Sequence, residues 1–117
     1  MKTLDAFTSA YIEAAFWTEI DDDGDYLDAT YSLDDLAPET LAQMIYECER
    51  FKSLVPIPEG REGEAGHDFL LTRNAHGVGF WDGDWEDEEQ SLMDATCKFT
   101  PMHLYIGDDG LIYQTDC

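Results

Sequence analysis

The 117-residue chain is expected to form an α+β domain, with helices packed on an antiparallel sheet of about four strands in the order α-α-β-β-α-β-β. Three observations carry that expectation. Apolar residues recur at three- and four-residue spacing through the first half. The second half contains short apolar runs separated by Asn- and Gly-bearing turn sequences. The hydrophobic fraction of 44% and the aromatic fraction of 13% supply enough material for a real core and set the chain apart from acidic, aromatic-poor disordered sequences. No repeat and no long linker divides it, so residues 1–117 read as a single acidic domain, which at this length buries roughly 65% of its unfolded surface.

The first helix is expected over residues 3–19, where Leu4, Phe7, Ala10, Tyr11, Ala14 and Ala15 share one face and Thr3 or Asp5 caps the start. The acidic run Asp21-Asp22-Asp23-Gly24-Asp25 ends it, because adjacent carboxylates repel and Gly24 frees the backbone. A second helix is expected over residues 37–54. Pro38 suits a first-turn position, and Glu39 and Lys52 lie at the ends the helix dipole favours. Leu41, Met44, Ile45, Cys48, Phe51 and Val55 form its apolar stripe, and Pro56 and Pro58 stop it. Residues 56–66 read as a loop.

Beyond that loop, His67–Arg73 and Val78–Asp82 are expected to pair as a hairpin around Asn74-Ala75-His76-Gly77. Apolar residues on both of its faces make it interior. Residues 86–99 favour a helix, with Glu86 to Glu89 at its start and Leu92, Met93, Ala95 and Phe99 inward. A second hairpin is expected from His103–Ile106 and Leu111–Gln114 around Gly107-Asp108-Asp109-Gly110.

The run from Ala65 to Asp82, AGHDFLLTRNAHGVGFWD, resembles a family of small uncharacterised bacteriophage and prophage proteins. Those are similar around AGHDF-LTRN-HG-GFWD, with an acidic N-terminal half and a Gly-Asp-Asp-Gly hairpin near the end. Leu70 departs from the pattern, where a larger aromatic is expected. The resemblance implies a phage origin and brings no activity with it.

Within that motif, His67, Asp68, Arg73, Asn74, His76 and Asp82 are candidates for acid–base or metal chemistry. A regular hairpin at about 3.3 Å per residue would hold His67 and His76 roughly 20–30 Å apart, too far to share a metal. The bland assignment leaves the histidines at loop ends, Asn74 and Gly77 in the turn, and Arg73 paired with a carboxylate. Glu19-x-Asp21-x-Asp23-Gly24 superficially matches the start of a calcium loop, but Glu19 and Thr30 stand where Asp and a bidentate Glu are needed. Cys48, Cys97 and Cys117 form no Cys-x-x-Cys pair and are too few for a disulfide framework. No phosphate-cradling loop, nucleophile elbow or zinc spacing is present. No catalytic residue, cofactor or metal is therefore assigned. Trp81, Trp85, Tyr105 and Tyr113 are read as mostly core, since base stacking would need a positive groove beside them.

Charge is the remaining signal. Asp and Glu number 27 against six Lys and Arg, for a net charge of -21. Such a chain repels nucleic acid and anionic membrane and attracts basic surfaces. Lys2 is the sole basic residue before Arg50. The carboxylates gather at Asp21, Asp22, Asp23, Asp25 and Asp28; at Asp34, Asp35 and Glu39; at Glu59, Glu62 and Glu64; and at Asp82, Asp84, Glu86, Asp87, Glu88 and Glu89. Carboxylates about 5–7 Å apart on helices and strands approach the spacing of nucleic-acid phosphates, and such a surface can occupy a phosphate-binding groove. The expectation is a phage-encoded, cytoplasmic, non-enzymatic inhibitor of a basic host nucleic-acid-binding protein, such as a restriction or CRISPR-type nuclease, binding neither nucleic acid nor membrane. The expected contacts are Asp21, Asp22, Asp23, Asp25, Asp84, Glu86, Asp87, Glu88 and Glu89, with Trp85 as an apolar anchor. The alternatives are a small-molecule site or enzyme on the His67–Asp82 hairpin and a virion accessory protein.

Overall fold

A computed structural model describes residues 4–21, 23–74, 80, 85 and 88–115. Helix α1 spans Ala6–Thr18. Asp5 caps it as expected, its Oδ1 accepting from the Thr8 N–H at 2.8 Å. After the acidic loop come the one-turn helix α2, Leu27–Thr30, and a 3-10 turn at Leu33–Asp35 closed by a Ser32–Asp35 capping box. Helix α3, Pro38–Leu54, begins on Pro38 as its sequence requires. Its inward face carries Met44, Cys48 and Phe51, joined by Thr40 and Glu47.

The largest departure follows. Helix α4 occupies Glu62–Arg73, where the sequence reading had a loop and the leading strand of a hairpin. A short apolar run such as Phe69-Leu70-Leu71 fits a buried strand or a buried helix equally well. The helix wins because Ala65, Phe69 and Arg73 recur at four-residue spacing and all three are buried, while Glu62 and Glu64 occupy the first turn and Arg73 the last. Gly66, which read as loop punctuation, lies where α1 and α4 touch. A Cβ there would stand 2.0 Å from the Phe7 carbonyl oxygen, so only glycine permits this approach. The 3.3 Å ruler that separated His67 from His76 therefore fails over its first seven residues. The returning strand Val78–Asp82 and the turn at 75–77 lie outside the described residues, apart from Phe80, whose N–H donates to Thr72 Oγ1 at 2.9 Å.

Helix α5, Glu89–Thr96, is shorter than the expected 86–99 and buries Leu92 and Ala95. Strands β1, His103–Ile106, and β2, Ile112–Thr115, pair antiparallel with Tyr105 opposite Tyr113. That hairpin agrees with the sequence to within one residue, and Gly110 turns it at a φ of 82°. Among the described residues the sheet has two strands rather than about four, with Leu36 adding a parallel bridge to Ile112. The architecture is thus α+β with more helix than expected.

One continuous core joins these elements. Phe51 of α3 stacks on Phe69 of α4 at 4.1 Å between ring centroids and on Phe7 of α1 at 5.7 Å. Phe80 lies parallel to Phe51 at 5.9 Å, and Phe99 meets Phe69 edge-on at 5.0 Å. Through this core runs one buried polar knot. The Arg73 guanidinium donates to both Glu47 carboxylate oxygens at 2.8 and 3.2 Å, to the Tyr11 hydroxyl at 2.9 Å and to the Thr100 carbonyl at 2.5 Å. Gln43 and Gln114 also donate to Glu47, at 3.1 and 2.9 Å. The knot ties α1, α3, α4 and β2 together. The expected pairing of Arg73 with a carboxylate is met by Glu47.

Candidate interaction surface

The acidic loop after α1 is folded by one of its own carboxylates. Asp21 Oδ1 accepts from the Asp23 and Asp25 N–H groups at 2.9 and 3.0 Å, and Ile20 bridges to Tyr26 across the loop. Asp21 thus faces its own backbone, whereas Asp23, Asp25 and Asp28 are exposed. Asp21, Asp23 and Asp25 are brought together in one turn; Asp22 lies outside the described residues. Glu19, the first residue of the calcium-like pattern, has its Oε1 2.9 Å from His103 Nδ1, where it accepts from the ring N–H, and so faces the hairpin. No group of three metal-ligating side chains occurs among the described residues.

The second expected contact segment reads differently. Asp84, Glu86 and Asp87 lie outside the described residues, and Glu88 and Glu89 are half-buried at the start of α5. Trp85 is fully buried, which corrects its assignment as a surface anchor. Its indole Nε1 donates to Asp68 Oδ2 at 2.7 Å, and the Arg61 guanidinium covers the ring at 3.7 Å. A large aromatic with a satisfied N–H under a cationic lid belongs to the interior. Tyr105 departs from the core reading in the opposite direction, since it is exposed and stacks on Tyr113 at 5.8 Å.

Helix α4 links the end of α1 to Trp85. Trp17, at the end of α1, stacks on His67 at 5.5 Å, and His67 Nδ1 lies 3.3 Å from Asp68 Oδ1. Asp68 in turn holds Trp85. The His67–Asp68 couple therefore has a structural occupation on both sides. His76 and Asp82, the other members of the catalytic candidate set, lie outside the described residues.

Four of the six cations make contacts within the fold, while Lys98 is exposed and Lys2 lies outside the described residues. Arg73 is consumed in the buried knot with Glu47. Arg61 forms a fork with Glu64 at 2.9 Å for each arm while covering Trp85. Lys52 pairs with Asp5 and Glu49, and Arg50 lies over the Phe99 ring at 5.2 Å. These pairs hold Asp5 and Glu64 below the ordinary carboxylate range. For Asp5, burial works in the opposite direction and is outweighed by hydrogen bonds from Lys52 and Thr8; for Glu64, the hydrogen bonds from Arg61 dominate. The charged residues described within 19–35 are all acidic, interspersed with exposed Ile20, Tyr26 and Leu33.

Sequence reasoning missed one further feature, a groove of about 440 Å³ between α1 and the α2–3-10 segment. Buried Ile12 and Phe16 form its floor, and exposed Trp17 and Leu33 stand at its edge. The signal was present in the composition of α1, AFTSAYIEAAFWT, whose one charged residue is Glu13. A helix so apolar around its circumference calls for cover on more than one side. Comparison with protein-family models, curated proteins and solved structures finds no match to this chain.

Proposed function

We propose that this chain is an acidic interaction protein of phage origin that binds a basic host nucleic-acid-binding protein, and that it inhibits a defence nuclease of the restriction or CRISPR type by presenting a nucleic-acid-like surface. The observation that carries the proposal is the combination of a net charge of -21 with cations engaged in pairs and ring contacts of the fold itself. Those contacts occupy Lys52, Arg61 and Arg73 with partners of the fold, so a basic partner meets a surface dominated by unpaired carboxylates. Such a surface accelerates encounter with a basic partner and makes affinity fall with salt. The contacts are Asp21, Asp23 and Asp25 with Asp22 of the same loop, and Glu88 and Glu89 with Asp84, Glu86 and Asp87 of the same segment. Trp85 is not among them.

The test is a pull-down from host lysate with the tagged chain, washed at low and at high salt. Recovery of one nucleic-acid-binding protein that DNA or RNA competes away is the expected result. Asn substitution of Asp23 and Asp25 should weaken that complex and flatten its salt dependence. Retention of every basic protein in the lysate, all lost at moderate salt, would reduce the charge to a solvated face. Copurification with virus particles instead would assign a virion role.

A further inference from the structure

We infer that the groove between α1 and the Leu33 turn is a docking site for a basic amphipathic segment of a polypeptide partner, seating its apolar side chains between Trp17 and Leu33 and its lysines or arginines against Glu13 and Asp28. The inference deepens the proposed function and rests on it for the sign of the partner's charge.

Three observations meet at this groove. Its volume of about 440 Å³ falls in the roughly 300–1,000 Å³ range of ligand-binding clefts. Leu4, Ile12, Phe16, Trp17 and Leu33 give it a mainly apolar lining beside Ser9 and Ser32, with Trp17 at 39% and Leu33 at 43% exposure. The charged residues lining it are both acidic, Glu13 and Asp28, and both are exposed. An apolar trough with an acidic rim is complementary to a helix bearing leucine-like side chains along one stripe and cations beside it. A second copy of this chain is disfavoured as occupant, because two bodies of charge -21 repel. An anionic bilayer is disfavoured for the same reason. Long-range attraction brings a basic partner to this surface, and the groove then discriminates among basic partners by their apolar stripe. Charge alone would not do so.

The experiment uses the full chain and two synthetic peptides with the same number of lysines. In one, leucines recur at helical spacing; in the other, serines replace every leucine. Both are titrated at low salt, followed by tryptophan emission and calorimetry. The leucine peptide is expected to bind about tenfold tighter or more, with a change in the Trp17 signal that Trp17→Phe removes. Leu33→Gln, at an exposed site that need not disturb folding, should abolish the preference between the peptides. Glu13→Gln combined with Asp28→Asn should weaken the leucine peptide more than Glu59→Gln combined with Asp108→Asn, which removes the same charge away from the groove. Equal affinity for the two peptides would overturn the groove while leaving the charge-based function standing. A preference that survives Leu33→Gln would place the site elsewhere and overturn it as well. Failure of both peptides to bind at low salt would remove the groove and the broader reading together.

Discussion

Arg73 is the residue on which the interior depends most. It is buried, it spans α4 to α3 through Glu47, and it reaches Tyr11 of α1 and the Thr100 carbonyl. Removing one partner of such a pair strands the other in the core, so Arg73→Ala should cost roughly 3–5 kcal/mol in chemical denaturation. Lysine should not rescue it, because a point charge cannot reproduce the planar fork. Burial alone would raise the Glu47 carboxyl. The hydrogen bonds from Arg73 and Gln114, with the Arg73 charge, outweigh it and hold Glu47 below its ordinary 4.5. A depressed folded pKa gives stability that is complete above that value and is lost as pH falls through the folded pKa. Wild type should therefore lose more stability than Glu47→Gln on acidification below about pH 4.5, measured by urea unfolding at each pH. Burial likewise pushes the Cys48 thiol well above its ordinary 9.0, whereas Cys97 is exposed. Maleimide labelling with peptide mapping should modify Cys97 in the native protein and reach Cys48 only on unfolding.

At the level of elements, the seam between α1 and α4 sets the tolerance to change. Gly66→Ala would drive a methyl group into the Phe7 carbonyl, and because that neighbour is backbone it cannot rotate away. The cost should sit at the upper end of the roughly 1–3 kcal/mol typical of overpacking, read as a lowered denaturation midpoint. Gly110→Ala, at a φ of 82° in the terminal hairpin, should cost about 1 kcal/mol. This seam also explains what the sequence could and could not convey. The helices opened by Asp5 and Pro38 were legible because a cap or a proline marks each start and an apolar stripe follows. The terminal hairpin was legible because Gly107 and Gly110 bracket two aspartates. Helix α4 was not, since Gly66 has a packing role that becomes apparent only when Phe7 is opposite it. Trp85 was misplaced for a similar reason. Its acidic neighbours in sequence suggest a surface, while the residues that enclose it, Arg61 and Asp68, come from a different element. Local pattern reports spacing along the chain, and burial is decided by partners across it.

Over the whole molecule, two effects of charge have opposite dependence on salt. Folding gathers carboxylates that the unfolded chain keeps farther apart, so a net charge of -21 works against the compact state. The ion pairs that offset it, Lys52 with Asp5 and Glu49 and Arg61 with Glu64, are few and partly exposed, and pairs of that kind contribute little. The buried Arg73–Glu47 pair is poorly screened. Added salt shortens the screening length from about 10 Å at 0.1 M to about 3 Å at 1 M. It should therefore relieve more repulsion than it removes attraction. The thermal midpoint of the free protein should rise with sodium chloride, while the affinity for the basic partner falls across the same range. A pair of scans, calorimetric melting of the free chain and titration of the complex, reads both slopes. Opposite signs are expected if one set of outward carboxylates both strains the fold and makes the contact. A rising midpoint with salt-independent binding would separate the two roles and leave the apolar groove beside Leu33 as the dominant source of affinity. A midpoint indifferent to salt would mean that the carboxylates are already too widely spaced to repel, and a surface so dilute could not stand in for a run of phosphates.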